Sequence, residues 1–588
     1  MHCTSRVAHC TLQSGIHFPM RKMTKAALLP RLLALFLCLA CLCACAPPPI
    51  TELPADWVFS ELPFVAPDTR GLIARAEKLS AKLEKNAPTA EDLAAFEEME
   101  RDFALAHSRC AQAYVLRCRD MTDMARERSY TAIEDDLNEV DALLTGIAAA
   151  LIAGEGGGFS THWPSAKKED YKRAGKLSAP ILTADLRRES ALVNAYDKLE
   201  SGFSVRYAER DWTMADILAA EGLPYTELFA LLQLYEKQYA DAAGSIYYEL
   251  ALLRRGIAET MGYNSYTQYR YDAYCRDYTP QEADALCSAV KAHFVPLHTE
   301  LVKAYANDLK YLYGATFPQV FYWERIQTAI AQALPSLVPA WNYMELHELF
   351  DLRVDANKRA GSFTTYISEY RAPFLYTHWN DSAAAVGTTI HEFGHFARCY
   401  FMRDSSESAT HSLDLCEVDS QGLEMLLLPW YDTVYARHAH AAEISALTDA
   451  LFAVISGCME DEFERKIYDA PAPLSVAEMN GVYLSLANEY GLTALYGYKG
   501  TEWMDIPHHY QAPLYYISYA TSMLAALGLW ETAQENPHAA QKAYLSILQR
   551  NPHAAFRCTL VTAGQCDPLS PARVKELAER VKWRFGET

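Results

Sequence analysis

Five consecutive residues, His391-Glu392-Phe393-Gly394-His395, combine two metal-binding side chains with an acid. On a helix the two histidines, four positions apart, stand one above the other on one face, so both imidazoles reach a single ion. Zinc in a hydrolytic site takes three protein ligands and keeps a fourth position for water, whose pKa it lowers toward neutrality. Glu392 follows the first histidine directly, where it can take that water's proton and pass it to a leaving amine. The spacing points to hydrolysis assisted by one Zn2+, provided a third ligand converges on the pair.

Glu417, Gln421 and Glu424 fall at i, i+4 and i+7 of a segment otherwise rich in Leu and Met, which makes a polar stripe on an apolar helix. Acidic residues are seldom buried unpaired on such a face. Glu417 is read as the third ligand, and Glu424, one turn on, as the carboxylate that holds a ligating histidine by its other ring nitrogen. Cys399 and Cys416 lie beside these segments in sequence and rank below Glu417 as ligands. The elements that position the set follow from their neighbours. Asp381 or Ser382 is expected to cap a buried helix that runs through the apolar stretch 383–390.

In these two motifs the chain resembles the zinc oligopeptidases that include thimet oligopeptidase and oligoendopeptidase F, and oligoendopeptidase F most. Members carry H-E-x-G-H followed by a helix reading roughly E-x-x-S-x-x-x-E, matched here by Glu417, Ser420 and Glu424. The resemblance implies metal-ligand roles for His391, His395 and Glu417, and the base role for Glu392. It also implies a zinc endopeptidase acting on oligopeptides, with a two-lobed helical fold around a deep channel. It runs from about residue 248 to about 529, weakens through 560–567 and is little more than compositional before 200.

The segment 506–521 resembles the part of oligoendopeptidase F that supplies a histidine and tyrosines to the cleft. Amide hydrolysis needs donors aimed at the oxygen that becomes negative. Tyr515 and Tyr519, four apart, are expected to share a helix face, with His508 on the loop leading in. Tyr510 and Tyr516 read as packing or side-chain-binding residues. The chain departs from the family pattern at Ala384, Ala385 and Arg398, where acidic residues and a further histidine are common.

Residues 361–367 and 373–379 are the best strand candidates, β-branched and aromatic and bounded by Gly and Pro. They predict one small sheet, and the resemblance implies that it lies near the site and offers its edge to an extended peptide, whose backbone pairing would read side chains little. Elsewhere apolar residues recur every three or four positions, as in 71–84, 90–118 and 225–262, so the fold class is mainly α. The expected division is a leader at 1–45, a tether at 46–70, an N-terminal helical lobe at 71–205 and a catalytic zinc metallopeptidase domain at 206–588.

In the leader, Arg21, Lys22 and Lys25 precede a short apolar core, and Leu42-Cys43-Ala44-Cys45 fits a bacterial lipoprotein signal peptide. Cys45 would carry the lipid, and Ala46-Pro47-Pro48-Pro49 would begin an extended tether. The expected location is extracytoplasmic and membrane-anchored. No later stretch reads as a spanning helix. The net charge of −21 argues against nucleic acid and against a grip on anionic lipid. Of 15 Cys, six lie at or before Cys45, and the other nine lack ligand spacing. Two rivals remain at this stage: a non-catalytic peptide-binding lipoprotein, and a dipeptidyl carboxypeptidase on the same fold.

Overall fold

The structure is a computed structural model that describes residues 50–586 except 52, 154–162, 164–166, 169–170, 173, 175–179, 221 and 404–411. The leader, with Cys45, lies outside the described residues. The expected helices form where the periodicity puts them. Thr69–Leu83, Ala90–Cys118 and Met124–Ala153 pack on one another, followed by Tyr225–Thr260, Pro280–Ala304 and Ala439–Tyr468 among others. Ala90–Cys118 and Pro280–Ala304 each open on a reciprocal cap, Thr89 with Asp92 and Thr279 with Glu282. The architecture is mainly α.

Among the described residues there are two small sheets where one was expected. Strands β1 (Ser204–Tyr207) and β2 (Arg210–Thr213) form an antiparallel hairpin that straddles the expected 205/206 boundary. Its two-residue turn, Ala208-Glu209, has φ of 47° and 64°, the left-handed pair that such hairpins need. Neither residue is Gly or Asn, so the usual hairpin signal is missing from the sequence. The second sheet holds β3 (Phe350–Asp351), β4 (Phe363–Ile367) and β5 (Ala372–Tyr376) in the spatial order β3-β5-β4. β4 and β5 are antiparallel with Thr365 opposite Phe374, and β4 is an edge strand.

The N-terminal helices seat on this second sheet. Arg119 Nε donates to Asp351 at 2.9 Å and Arg109 Nε to Glu369 at 3.1 Å. The stretch expected as a tether joins them from residue 51 on. Thr51 N–H donates to the Glu369 carbonyl at 2.9 Å, Trp57 stacks on His347 and Phe59 packs on Phe374. Trp57, Phe59 and Leu62 give this segment apolar surface to bury, which a solvated tether lacks.

The core lies around the helix Ile517–Glu535, buried on nearly every side by Leu413–Leu427, Ala439–Tyr468 and Pro537–Leu548. Gly457 permits one of these crossings, since a Cβ there would stand 2.9 Å from the Tyr516 carbonyl and from Ala520 N. Contrary to expectation, Leu413–Tyr468 is long and apolar enough to cross a membrane by length and composition. Most of it is buried inside the protein, and its apolarity serves this core.

Candidate active site

Ser382 caps the first site helix, Ala383–Met402, its hydroxyl accepting from Ala385 N–H at 3.2 Å. Asp381, the other candidate, precedes it with a left-handed φ of 53°. The helix lies against β4 and β5, and strand alternation turns Thr364 and Tyr366 toward it. Tyr366 donates to the Arg403 carbonyl just past the helix end at 3.3 Å. The Thr364 hydroxyl sits 2.9 Å from both the carbonyl oxygen and Oε2 of Glu392. Sequence reading placed Thr364 in a strand and did not connect it to Glu392. The strand period, which sets 364 and 366 on one face, was the available signal.

The second site helix, Leu413–Leu427, ends at Leu428-Pro429 and carries Glu417, Gln421 and Glu424 as the stripe requires. Glu417 Oε2 lies 3.4 Å from His391 Nε2 and 3.9 Å from His395 Nε2. One donor atom from each of the three lies within 4.8 Å of the others, the one such group among the described residues. Glu424 Oε1 is 2.5 Å from His391 Nδ1, so His391 donates through Nδ1–H and presents Nε2 to the group. His391, Glu392 and Glu417 are buried, while the His395 side chain keeps 23% of its exposure.

These residues fit a zinc ion. Bonds of about 2.0–2.2 Å at a tetrahedral angle put ligand atoms about 3.4 Å apart. The observed separations of 3.4 and 3.9 Å are near that value. Two imidazoles and a carboxylate are also a donor set of hydrolytic zinc. Burying the Glu417 carboxylate costs several kcal/mol unless a cation offsets it. Cys399 and Cys416 are not in the group, and burial pushes the Cys399 thiol up to about 12, which keeps it protonated.

Gly394 lets the two helices meet. A Cβ on it would stand 2.6 Å from Ser420 Cα and closer still to the Asp419 carbonyl oxygen. The crossing is braced from behind. Arg550 grips Asp419 with two parallel bonds of 2.5 and 2.9 Å, both partners buried. Arg398, one of the departures, donates to the carbonyls of Leu548 and Arg550 at 2.5 and 3.2 Å, closing the end of Pro537–Leu548.

His508, Tyr515 and Tyr519 form a second group. His508 Nε2 lies 3.2 Å from the Tyr519 hydroxyl, and its ring stacks on Tyr515 with centroids 5.5 Å apart. The local structure differs from expectation in two ways. His508 is in a short helix, Pro507–Gln511, rather than a loop, because Pro507 starts it at N1. Tyr515 precedes Ile517–Glu535, and only Tyr519 is inside that helix. The turn at Leu514, with φ of 61°, still brings the two tyrosine rings within 5.2 Å. Tyr510 stacks on Tyr196 at 3.5 Å and packs as expected. Tyr515 and Tyr519 share an apolar cluster with Leu413, the first residue of the second site helix, which joins the two groups.

Residues 342–576 match the model of peptidase family M3. Oligoendopeptidase F from Lactococcus lactis subsp. cremoris is 25% identical over 326 residues, 51% of this chain and 53% of that protein. An oligoendopeptidase F homolog from Borreliella burgdorferi is 24% identical over 207 residues, 33% of this chain and 34% of the relative. The aligned stretches thus span about a third to a half of these curated relatives. The solved structure of PZ peptidase A with an inhibitor superposes with a TM-score of 0.73, at 20% identity, over 90% of this chain and 99% of that one, and shares its fold. Over its matched segment the chain is thus similar to peptidase family M3, and it shares the fold of PZ peptidase A.

Proposed function

We propose that the chain is a zinc metalloendopeptidase that hydrolyses peptide bonds in oligopeptides. The observation that carries this reading is the convergence of His391, His395 and Glu417 from two helices, beside a buried Glu392. Zinc, when bound by these three residues, supplies a Lewis acid for the scissile carbonyl and makes water acidic enough to attack at neutral pH. Glu392 accepts a proton from the attacking water and returns it to the leaving amine. Thr364, 2.9 Å from Oε2, holds that carboxylate in place from the neighbouring edge strand. Glu424 fixes the orientation and tautomer of His391.

Tyr519 and His508, with Tyr515 stacked beside them, are the donors for the oxyanion of the tetrahedral intermediate. β4, the edge strand that carries Thr364, is the surface on which an extended peptide pairs through its backbone. The leader motif at Cys45 supports a lipid-anchored, extracytoplasmic location. Incubation with one decapeptide tests the activity. Cleavage within the peptide, stopped by chelator and restored by zinc, is expected. Stoichiometric binding without turnover would instead favour a peptide carrier, and release of C-terminal dipeptides alone would favour a dipeptidyl carboxypeptidase.

A further inference from the structure

The backbone that carries His508, Tyr515 and Tyr519 is gripped by buried ionisable side chains from outside the segment. Leu514, in the left-handed region, has both of its peptide groups taken. Its N–H donates to Glu464 Oε2 at 2.6 Å, and its carbonyl accepts from Arg276 Nη2 at 2.6 Å. Arg254, fully buried on Tyr225–Thr260, donates to the His509 carbonyl at 2.8 Å and to the Tyr510 carbonyl. Three charges on three separate stretches of chain thus hold the turn between His508 and Tyr515.

Such an arrangement is costly. A buried carboxylate and two buried guanidiniums each give up several kcal/mol of hydration. A non-glycine residue at positive φ adds about 1–2 kcal/mol of strain. An ordinary turn in an apolar core needs none of these. The cost is consistent with a turn whose exact path matters to the side chains it aims, as at sites where strained backbone is over-determined by its surroundings.

We propose that Glu464 is a positioning residue for the His508, Tyr515 and Tyr519 cluster, holding the Leu514 turn that sets the distance between the histidine and the two phenols. The inference rests on the reading of that cluster as the oxyanion donors. Tyr247, His509 and Arg254 face Glu464 from neighbouring elements, and Asp461 and Tyr468 from its own helix. Asp461 is occupied by Arg465 at 2.6 Å and by Tyr271 at 3.0 Å, which leaves Glu464 to serve the turn. Burial pushes Glu464 up to about 7, with His509 and Arg254 pulling it back. Its ionised form is the stronger acceptor for the Leu514 N–H.

The test compares Glu464→Leu and Glu464→Gln with the parent in the zinc-loaded full chain. Both variants keep the side-chain size, and Gln keeps an oxygen acceptor. Expected for Glu464→Leu is a fall in kcat of roughly 10- to 100-fold with KM within about threefold and zinc content unchanged. Glu464→Gln is expected to recover most of that loss. Crystal structures supply a readout independent of turnover: Leu514 leaves the left-handed region in Glu464→Leu, and the His508 Nε2 to Tyr519 Oη separation widens from 3.2 Å. An unchanged turn and an unchanged separation in Glu464→Leu overturn the proposal, as does a Glu464→Gln variant no better than Glu464→Leu. A parent that fails to cleave peptide, while the Leu variant still displaces the turn, would count against the peptidase reading and leave the positioning role standing.

Discussion

Gly394 and Ser420 touch backbone to backbone: a single methyl on Gly394 would stand 2.6 Å from Ser420 Cα. This contact sets how near the helix with two histidines comes to the helix with Glu417. Gly394→Ala is expected to force the helices apart, costing about 1–3 kcal/mol of stability, and to weaken zinc binding by opening the Glu417 to histidine separations. Urea unfolding and a zinc competition titration check the two effects together. Full zinc affinity in the alanine variant would show that the crossing does not set the site.

Glu424 holds His391 by Nδ1, and in the proposed site it acts on the metal through that ring. Removing its carboxylate with Glu424→Ala is expected to lower zinc affinity about 10- to 100-fold, since the ring loses the partner that fixes its tautomer and raises its basicity. Chelator competition measures this directly. Hydrolysis at saturating zinc should fall much less than affinity does.

Tyr519→Phe removes the hydroxyl that His508 approaches at 3.2 Å and leaves the ring packing in place. The expected result is a drop in kcat of about 100-fold with KM little changed, because the lost hydrogen bond forms only with the developing oxyanion. Steady-state kinetics on a fluorogenic peptide decide it. An equal rise in KM alone would assign Tyr519 to ground-state binding.

Asp449 is half-buried, and desolvation pushes its pKa up from 3.8 to about 7, with Glu424 adding to the rise and the Ser445 hydroxyl opposing it. Between about pH 4 and 7 the folded chain therefore holds a proton that the unfolded chain has released. This group's contribution to stability is greatest below pH 4 and declines as pH rises through that window. Asp449→Asn removes the titration. Its stability relative to the parent should improve by on the order of 2 kcal/mol between pH 4.5 and 8, read from chemical unfolding at the two pH values.

Much of the site was legible because its information is local. The i, i+4 histidines, the Ser382 cap and the i, i+7 glutamates are each fixed by spacing within one helix, and the structure places all of them as spacing requires. The two main strands were legible from β-branched and aromatic runs. What was hidden depends on contacts between residues far apart in sequence. Thr364 reaches Glu392 across 28 residues, Glu464 reaches Leu514 across 50, and Arg550 reaches Asp419 across 131. One partial signal existed for the second of these. Glu460, Asp461, Glu462 and Glu464 crowd a helix that is otherwise apolar, and such acids must find buried partners. The β1–β2 hairpin was missed because Ala208 and Glu209 adopt a turn conformation that their side chains do not advertise.

The most direct test of the account joins metal analysis to hydrolysis in the parent and in Glu392→Gln. The account predicts one zinc ion per chain in both proteins, with peptide cleavage lower in Glu392→Gln by about 100-fold or more. A Glu392→Gln variant that cleaves as fast as the parent, or a parent that cleaves without retaining any divalent metal, would contradict it.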